Sequence, residues 1–122
     1  MRYVLENETL KVEIESFGAE LKSVINKETN QEYMWQADPT YWGRTSPILF
    51  PFVGSLRDKC YTYNGKTYPM GQHGFARDME HTLVSKTDSA IYFELLSTEE
   101  TMEKYPFSFA LNLGYELTGN AL

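Results

Sequence analysis

Imidazoles and guanidiniums are few in this chain of 122 residues, and they fall unevenly. His73 and His81 are the only histidines, the side-chain type that exchanges protons near neutral pH without special tuning. His73 stands in Gly71-Gln72-His73-Gly74-Phe75-Ala76-Arg77-Asp78. Flanking glycines permit close backbone approach to a ligand, and an imidazole can donate to or accept from a hydroxyl. Arg57 follows the apolar run Pro51-Phe52-Val53-Gly54-Ser55-Leu56, and Arg77 follows His73. Each guanidinium presents a rigid fork of donors suited to sugar oxygens or a phosphate. Plainer readings stand beside these. A loop histidine making a structural hydrogen bond is the commoner case, and ion pairs of the arginines with Asp58 or Asp78 are at least as common. His81, in Met79-Glu80-His81-Thr82-Leu83, reads as a surface residue at a strand entrance.

Other chemistries find no support. No Ser/His/Asp arrangement can be read, and the two histidines lack metal-ligand spacing. Gly71 to Gly74 has neither the lysine of a P-loop nor the GxGxxG spacing. The 17 acidic residues offer many carboxylates but no convincing pair. Cys60 is the only cysteine, so an internal disulfide, a zinc cluster and a CxxC motif are all excluded. A net charge of −6 argues against nucleic acid, because no basic stripe exists to neutralise phosphates. No stretch has the length and apolarity of a membrane span, and the first residues lack the apolar core of a signal peptide. A reducing, cytoplasmic setting is the expectation.

The elements that must position these residues read as β structure. Aromatic residues make up 15% of the chain, a content that suits pleated, half-buried surfaces and also flat binding walls, core being the commoner use. Leu10, Val12 and Ile14 alternate with Lys11, Glu13 and Glu15, a period of two that turns one face inward. After Phe17-Gly18 the alternation resumes through Ala19, Leu21 and Val24, with Glu20, Lys22 and Ser23 outward. Residues 26–30 read as a turn and 32–35 as a strand. From Asp38-Pro39 to Gly54, three prolines break the pattern while Trp42, Ile48, Leu49, Phe50, Phe52 and Val53 keep the segment apolar. Asn64-Gly65 between runs of Tyr and Thr predicts a hairpin with a type I′ turn. Two more strands are expected at 82–84 and 90–96. A short helix is expected at 98–104, with Ser97 and Glu100 in a capping box. A strand beginning at Phe107 is expected to follow Pro106.

Taken together, Ser46-Pro47-Ile48-Leu49-Phe50-Pro51-Phe52-Val53-Gly54, Arg57, the Asn-Gly hairpin and Gln72-His73-Gly74-Phe75-Ala76-Arg77-Asp78 resemble the aldose 1-epimerase (galactose mutarotase-like) superfamily. The branch that looks most similar holds lactose-operon-associated epimerase-like proteins and hexose-6-phosphate 1-epimerases. Phe17-Gly18-Ala19-Glu20-Leu21-Lys22-Ser23 and Tyr105-Pro106-Phe107-Ser108-Phe109 extend the match over nearly the whole chain.

The resemblance implies an all-β, antiparallel β-sandwich, with residues 1–122 forming one N-terminal portion of a larger supersandwich. It implies interconversion of the α and β anomers of a hexose or hexose 6-phosphate by acid/base ring opening, without metal or organic cofactor. Residue by residue it makes Arg57 and His73 substrate-binding and places Arg77 where a phosphate could be met. The family's proton-transferring histidine and glutamate correspond to positions past Leu122, so no catalytic residue is assigned within the chain. Alone it is expected to be inactive, with strand edges open to self-association. Two other readings remain at this point: a non-catalytic carbohydrate-binding β-sandwich, and a β domain without a ligand.

Overall fold

A computed structural model describes residues 1–122. Eight strands and one short helix follow the chain in order. They are β1 (Arg2–Glu6), β2 (Leu10–Glu15), β3 (Glu20–Asn26), β4 (Cys60–Tyr63), β5 (Lys66–Pro69), β6 (Thr82–Lys86), β7 (Ala90–Leu96), α1 (Glu99–Lys104) and β8 (Ala110–Glu116). The strands form two three-stranded sheets, β1-β2-β3 and β6-β7-β8, and the hairpin β4-β5. Every pairing between them is antiparallel. No helix is long and apolar enough to cross a membrane.

Alternation decides which face each sheet buries. Leu10, Val12 and Ile14 of β2 point the same way as Leu5 of β1, and Ile91 and Phe93 of β7 meet them from the other sheet. Tyr3 packs its ring edge-on against Phe93, with centroids 5.6 Å apart. The Tyr115 hydroxyl donates to the Ala19 carbonyl at 2.7 Å, pinning β8 to the start of β3. This shared interior makes the two sheets a sandwich.

The Asn-Gly hairpin forms as expected, with positive φ at Asn64 (48°) and Gly65 (74°). Other expectations fail for identifiable reasons. β1 is an additional strand, its contiguous Tyr3-Val4-Leu5 hiding any alternation. Residues 32–35 form no strand; Glu32 makes one isolated bridge to Ile25, and its carboxylate accepts from the Ser23 hydroxyl and the Val24 and Met34 amides. The alternation expected for Glu20 breaks at a bulge, where Glu13 pairs with Ser23 but Ile14 pairs with Leu21. Glu20 is thereby buried, only 5% exposed. Helix α1 is capped by Thr98, whose side chain accepts from the Thr101 amide, with Thr101 returning the bond in place of Glu100. Residues 107–109 stay outside β8 because their rings join an aromatic cluster rather than a ladder.

Candidate functional site

Two irregular segments, 50–54 and 73–76, are laced together by backbone bonds. The Phe50 carbonyl accepts from the amides of Phe75 (2.9 Å) and Ala76 (3.2 Å), and the Gly54 carbonyl accepts from the His73 amide (2.8 Å). Gly74 makes the approach possible. It has φ +74°, and a Cβ at that position would lie 2.1 Å from the Phe50 oxygen.

His73 sits at the end of this lacing with φ 62°, in the left-handed region that a non-glycine residue rarely occupies. Its Nδ1 accepts from the Gly54 amide at 2.8 Å, so the ring and backbone of His73 grip Gly54 from both sides. An Nδ1 used as acceptor puts the proton of a neutral ring on Nε2. That N–H is a donor with no partner inside the chain, on a half-buried residue.

Arg77 belongs to the same loop. One guanidinium nitrogen donates to the Gln72 carbonyl at 2.9 Å, directly before His73, and Nε lies 3.6 Å from the Asp78 carboxylate. Nε itself is buried without a hydrogen-bond partner. The structure therefore brings His73 and Arg77 together on one braced loop. Arg57 is placed differently. Its side chain is 97% exposed, with the Asp58 carboxylate 3.9 Å away, and it opens a tight turn in which Asp58 (φ 56°) and Lys59 (φ 52°) are both left-handed.

The two cavities of the chain, about 310 and 320 Å³, are lined by neither Arg57, His73 nor Arg77. The first lies beside the loop, between Met70, Phe75 and Met79 on one wall and Glu100, Thr101 and Lys104 of α1 on the other. Within these 122 residues the candidate groups occupy a braced surface, not a closed pocket.

Supporting residues come from elsewhere in the chain. Arg44 donates to the Arg77 carbonyl (3.3 Å) and to the Asp78 carboxylate, steadying the turn below the loop. Glu20 accepts from the amides of Thr45 (2.7 Å) and Ser46 (3.0 Å) and from the Thr45 hydroxyl (2.7 Å), with the Lys22 ammonium at 3.3 Å. Burial by itself would raise the Glu20 pKa; the hydrogen bonds and Lys22 outweigh it and hold the carboxyl below its usual range. Sequence reading passed over both residues, because their partners are more than twenty positions away and no short motif joins them.

His81 is a correction. It is buried, 2% exposed, with its amide bonded to the Ser16 carbonyl and its Nδ1 3.1 Å from the Met79 carbonyl. Its Nε2 has no partner. Burial pushes its pKa down, against weaker upward pulls from the Met79 carbonyl and Glu80. It is a packed interior ring.

Comparison with known proteins gives one consistent picture. The sequence pattern of the aldose 1-epimerases matches residues 1–122. Protein LacX of Lactococcus lactis subsp. lactis, in plasmid and chromosomal versions, is 35% identical over 127 residues; the match takes in 100% of this chain and 42% of LacX. A galactose mutarotase related enzyme from Lactobacillus acidophilus superimposes with a TM-score of 0.97 at 48% identity, covering 98% of this chain and 40% of that one. A galactose mutarotase-like protein from Lactobacillus casei ATCC 334 gives 0.94 at 44%, covering 97% and 40%. The chain thus spans about two-fifths of the length of these relatives.

Proposed function

Because the chain belongs to the aldose 1-epimerase family, we propose that it supplies the N-terminal part of a sugar-binding wall in a protein that interconverts the α and β anomers of a hexose or a hexose 6-phosphate. The observation that carries this reading is the His73 loop. A ring pinned by Gly54 presents Nε2–H in one fixed direction, and a fixed donor is what holding a hydroxyl requires. Arg77, tied to the carbonyl before His73, keeps further N–H donors that suit a ring oxygen or a 6-phosphate. Arg57, three residues after Gly54 and 97% exposed, is assigned in this reading to close on the ligand from solvent.

Anomer exchange needs a group that protonates the ring oxygen and one that takes the anomeric proton. His73 and Arg77 bind and orient in this scheme; the proton-transfer pair is assigned to no residue here. The isolated chain is accordingly a binding surface without turnover, cytoplasmic in setting, and prone to weak self-association through its open strand edges.

The reading is tested by following the two imidazole spectra by NMR during titration with glucose, galactose and glucose 6-phosphate. His73 resonances are expected to move and those of buried His81 to stay. Equal silence from both rings at saturating sugar would remove the sugar-binding reading. Polarimetry on fresh α-glucose or α-galactose is expected to show the buffer rate; faster conversion would refute the assignment of no catalytic group. A non-catalytic carbohydrate-binding role shares the first outcome. It separates from the enzyme reading only if the chain, joined with the rest of a relative's fold, still fails to turn over.

A further inference from the structure

The cavity of about 310 Å³ between the His73 loop and α1 does not include the His73 ring. Met70, Phe75 and Thr101, all buried, form its floor, and Met79 stands at one wall. No polar group of that floor is left waiting. The Thr101 hydroxyl is spent on the cap of α1, where it accepts from the Thr98 amide and donates to the Thr98 carbonyl. The buried side-chain polar atoms without partners belong to Arg77 and His81, neither of which lines the cavity. An apolar body can therefore settle there without stranding a donor or an acceptor. Cavities of only ~150 Å³ hold a benzene ring, so this one has room for a ring with a short tail.

Gly71 is a second sign. Glycine is ordinarily needed where φ is positive or where another backbone comes close. Gly71 meets neither condition, since its φ lies outside the left-handed region and a Cβ there would meet nothing within 4 Å. It lines the cavity, and its missing side chain keeps that side clear where neither strain nor crowding demands it.

The rim decides what polarity fits. Asp78 already accepts from Arg44 and has Arg77 Nε at 3.6 Å, while Glu100 has the Lys104 ammonium at 3.5 Å. Each carboxylate thus has its counter-charge. A charged guest would lose its water here and find no unpaired partner. Lys104 keeps spare N–H donors and Glu100 spare lone pairs, which a single hydroxyl can use together.

We propose that this cavity binds a small uncharged amphiphile, an apolar ring or branched chain carrying one hydroxyl, on the back of the His73 loop. The guest packs against Gly71, Gly74 and Phe75, which bracket His73 in sequence, and so stiffens the loop without touching its imidazole. Nothing in this assignment depends on sugar binding.

The test follows isotope-labelled methionine methyls by NMR while benzyl alcohol is titrated into the chain. The Met70 and Met79 methyls are expected to shift and saturate, and that of Met1, outside the lining, to stay. Benzylammonium and phenylacetate are expected to bind at least tenfold more weakly, and glucose to leave both methyls still. Saturation with benzyl alcohol is expected to slow hydrogen exchange at the His73 and Phe75 amides, which bond Gly54 and Phe50. Gly71→Leu is expected to weaken benzyl alcohol at least tenfold with circular dichroism unchanged. Glu100→Ala, at an exposed rim position, is expected to remove the advantage of benzyl alcohol over toluene. The proposal is overturned if the two methyls stay still, if either charged probe binds as well, or if both variants behave like the parent. Glucose moving these methyls would overturn it too, by making the cavity part of the sugar surface. A His73 ring that ignores sugar counts against the earlier reading alone.

Discussion

His81 enters the fold as a neutral ring, and that has a measurable price in acid. Burial lowers its folded-state pKa below the ordinary value near 6.5. The unfolded chain therefore takes up the proton first as pH falls. The corresponding stability is present in full above pH ~6.5 and is lost as pH drops toward the lowered folded value, with a slope of at most about 1.4 kcal/mol per pH unit. Urea midpoints between pH 7.5 and 5 are expected to fall for the parent chain and to flatten in His81→Gln. A second residue-scale prediction concerns Gly74. Replacement by Ala forces a side chain into a left-handed position and against the Phe50 oxygen, so Gly74→Ala is expected to cost about 3 kcal/mol or more in denaturant unfolding. At this scale the positions of His73 and Arg77 on a glycine-bearing loop were legible from the sequence. The acceptor role of the His73 ring was not, since its partner Gly54 lies 19 residues away. Nor was the burial of His81, because a histidine beside a glutamate carries no mark of which side of a strand it will take.

Elements show the same division between local and distant causes. The Asn64-Gly65 turn, the β6-β7 pair and the short helix were readable because each is specified by neighbours in sequence. The cap moved from Ser97 to Thr98 because Thr101, and not Glu100, closes the box. The strand expected at 32–35 was lost to a side-chain effect, the Glu32 carboxylate gathering amides that a ladder would have used. Glu20 is the distant case. Its single carboxylate oxygen gathers the Thr45 and Ser46 amides and so anchors the start of the apolar segment leading to Phe50 and Gly54. Glu20→Gln keeps the shape but not the charge that these donors favour, and is expected to cost about 1–3 kcal/mol at pH 7. Since the folded pKa is lowered, this contribution is present above the ordinary carboxylate range and disappears as pH falls through the folded value. Stabilities of parent and variant are thus expected to differ by a constant amount above the ordinary carboxylate range and to approach one another as pH falls below it.

For the whole molecule, antiparallel all-β architecture was evident from alternation and turn signals, while its openness was not. Sequence composition counts aromatic residues without saying how many find cover. The structure leaves Phe107, Tyr63 and Leu96 in contact with solvent. A dye that brightens on apolar surface, such as anilinonaphthalene sulfonate, is expected to bind the native chain at pH 7, and Phe107→Asp is expected to reduce the signal while the far-UV circular dichroism stays that of the parent. Equal brightness in parent and variant would place the wet apolar surface elsewhere. The sandwich also has a timetable written into it. Leu5, Val12 and Ile14 are covered by Ile91 and Phe93, strands from opposite ends of the chain. During synthesis at about 5–20 residues per second, close to 80 residues must be added after Ile14 before its lid exists, an interval on the order of 4–16 s. A nascent β1-β2-β3 sheet spends that time with one oily side facing water, so crosslinking of stalled nascent chains is expected to capture chaperone at lengths that lack β7 and to lose it once β7 is available.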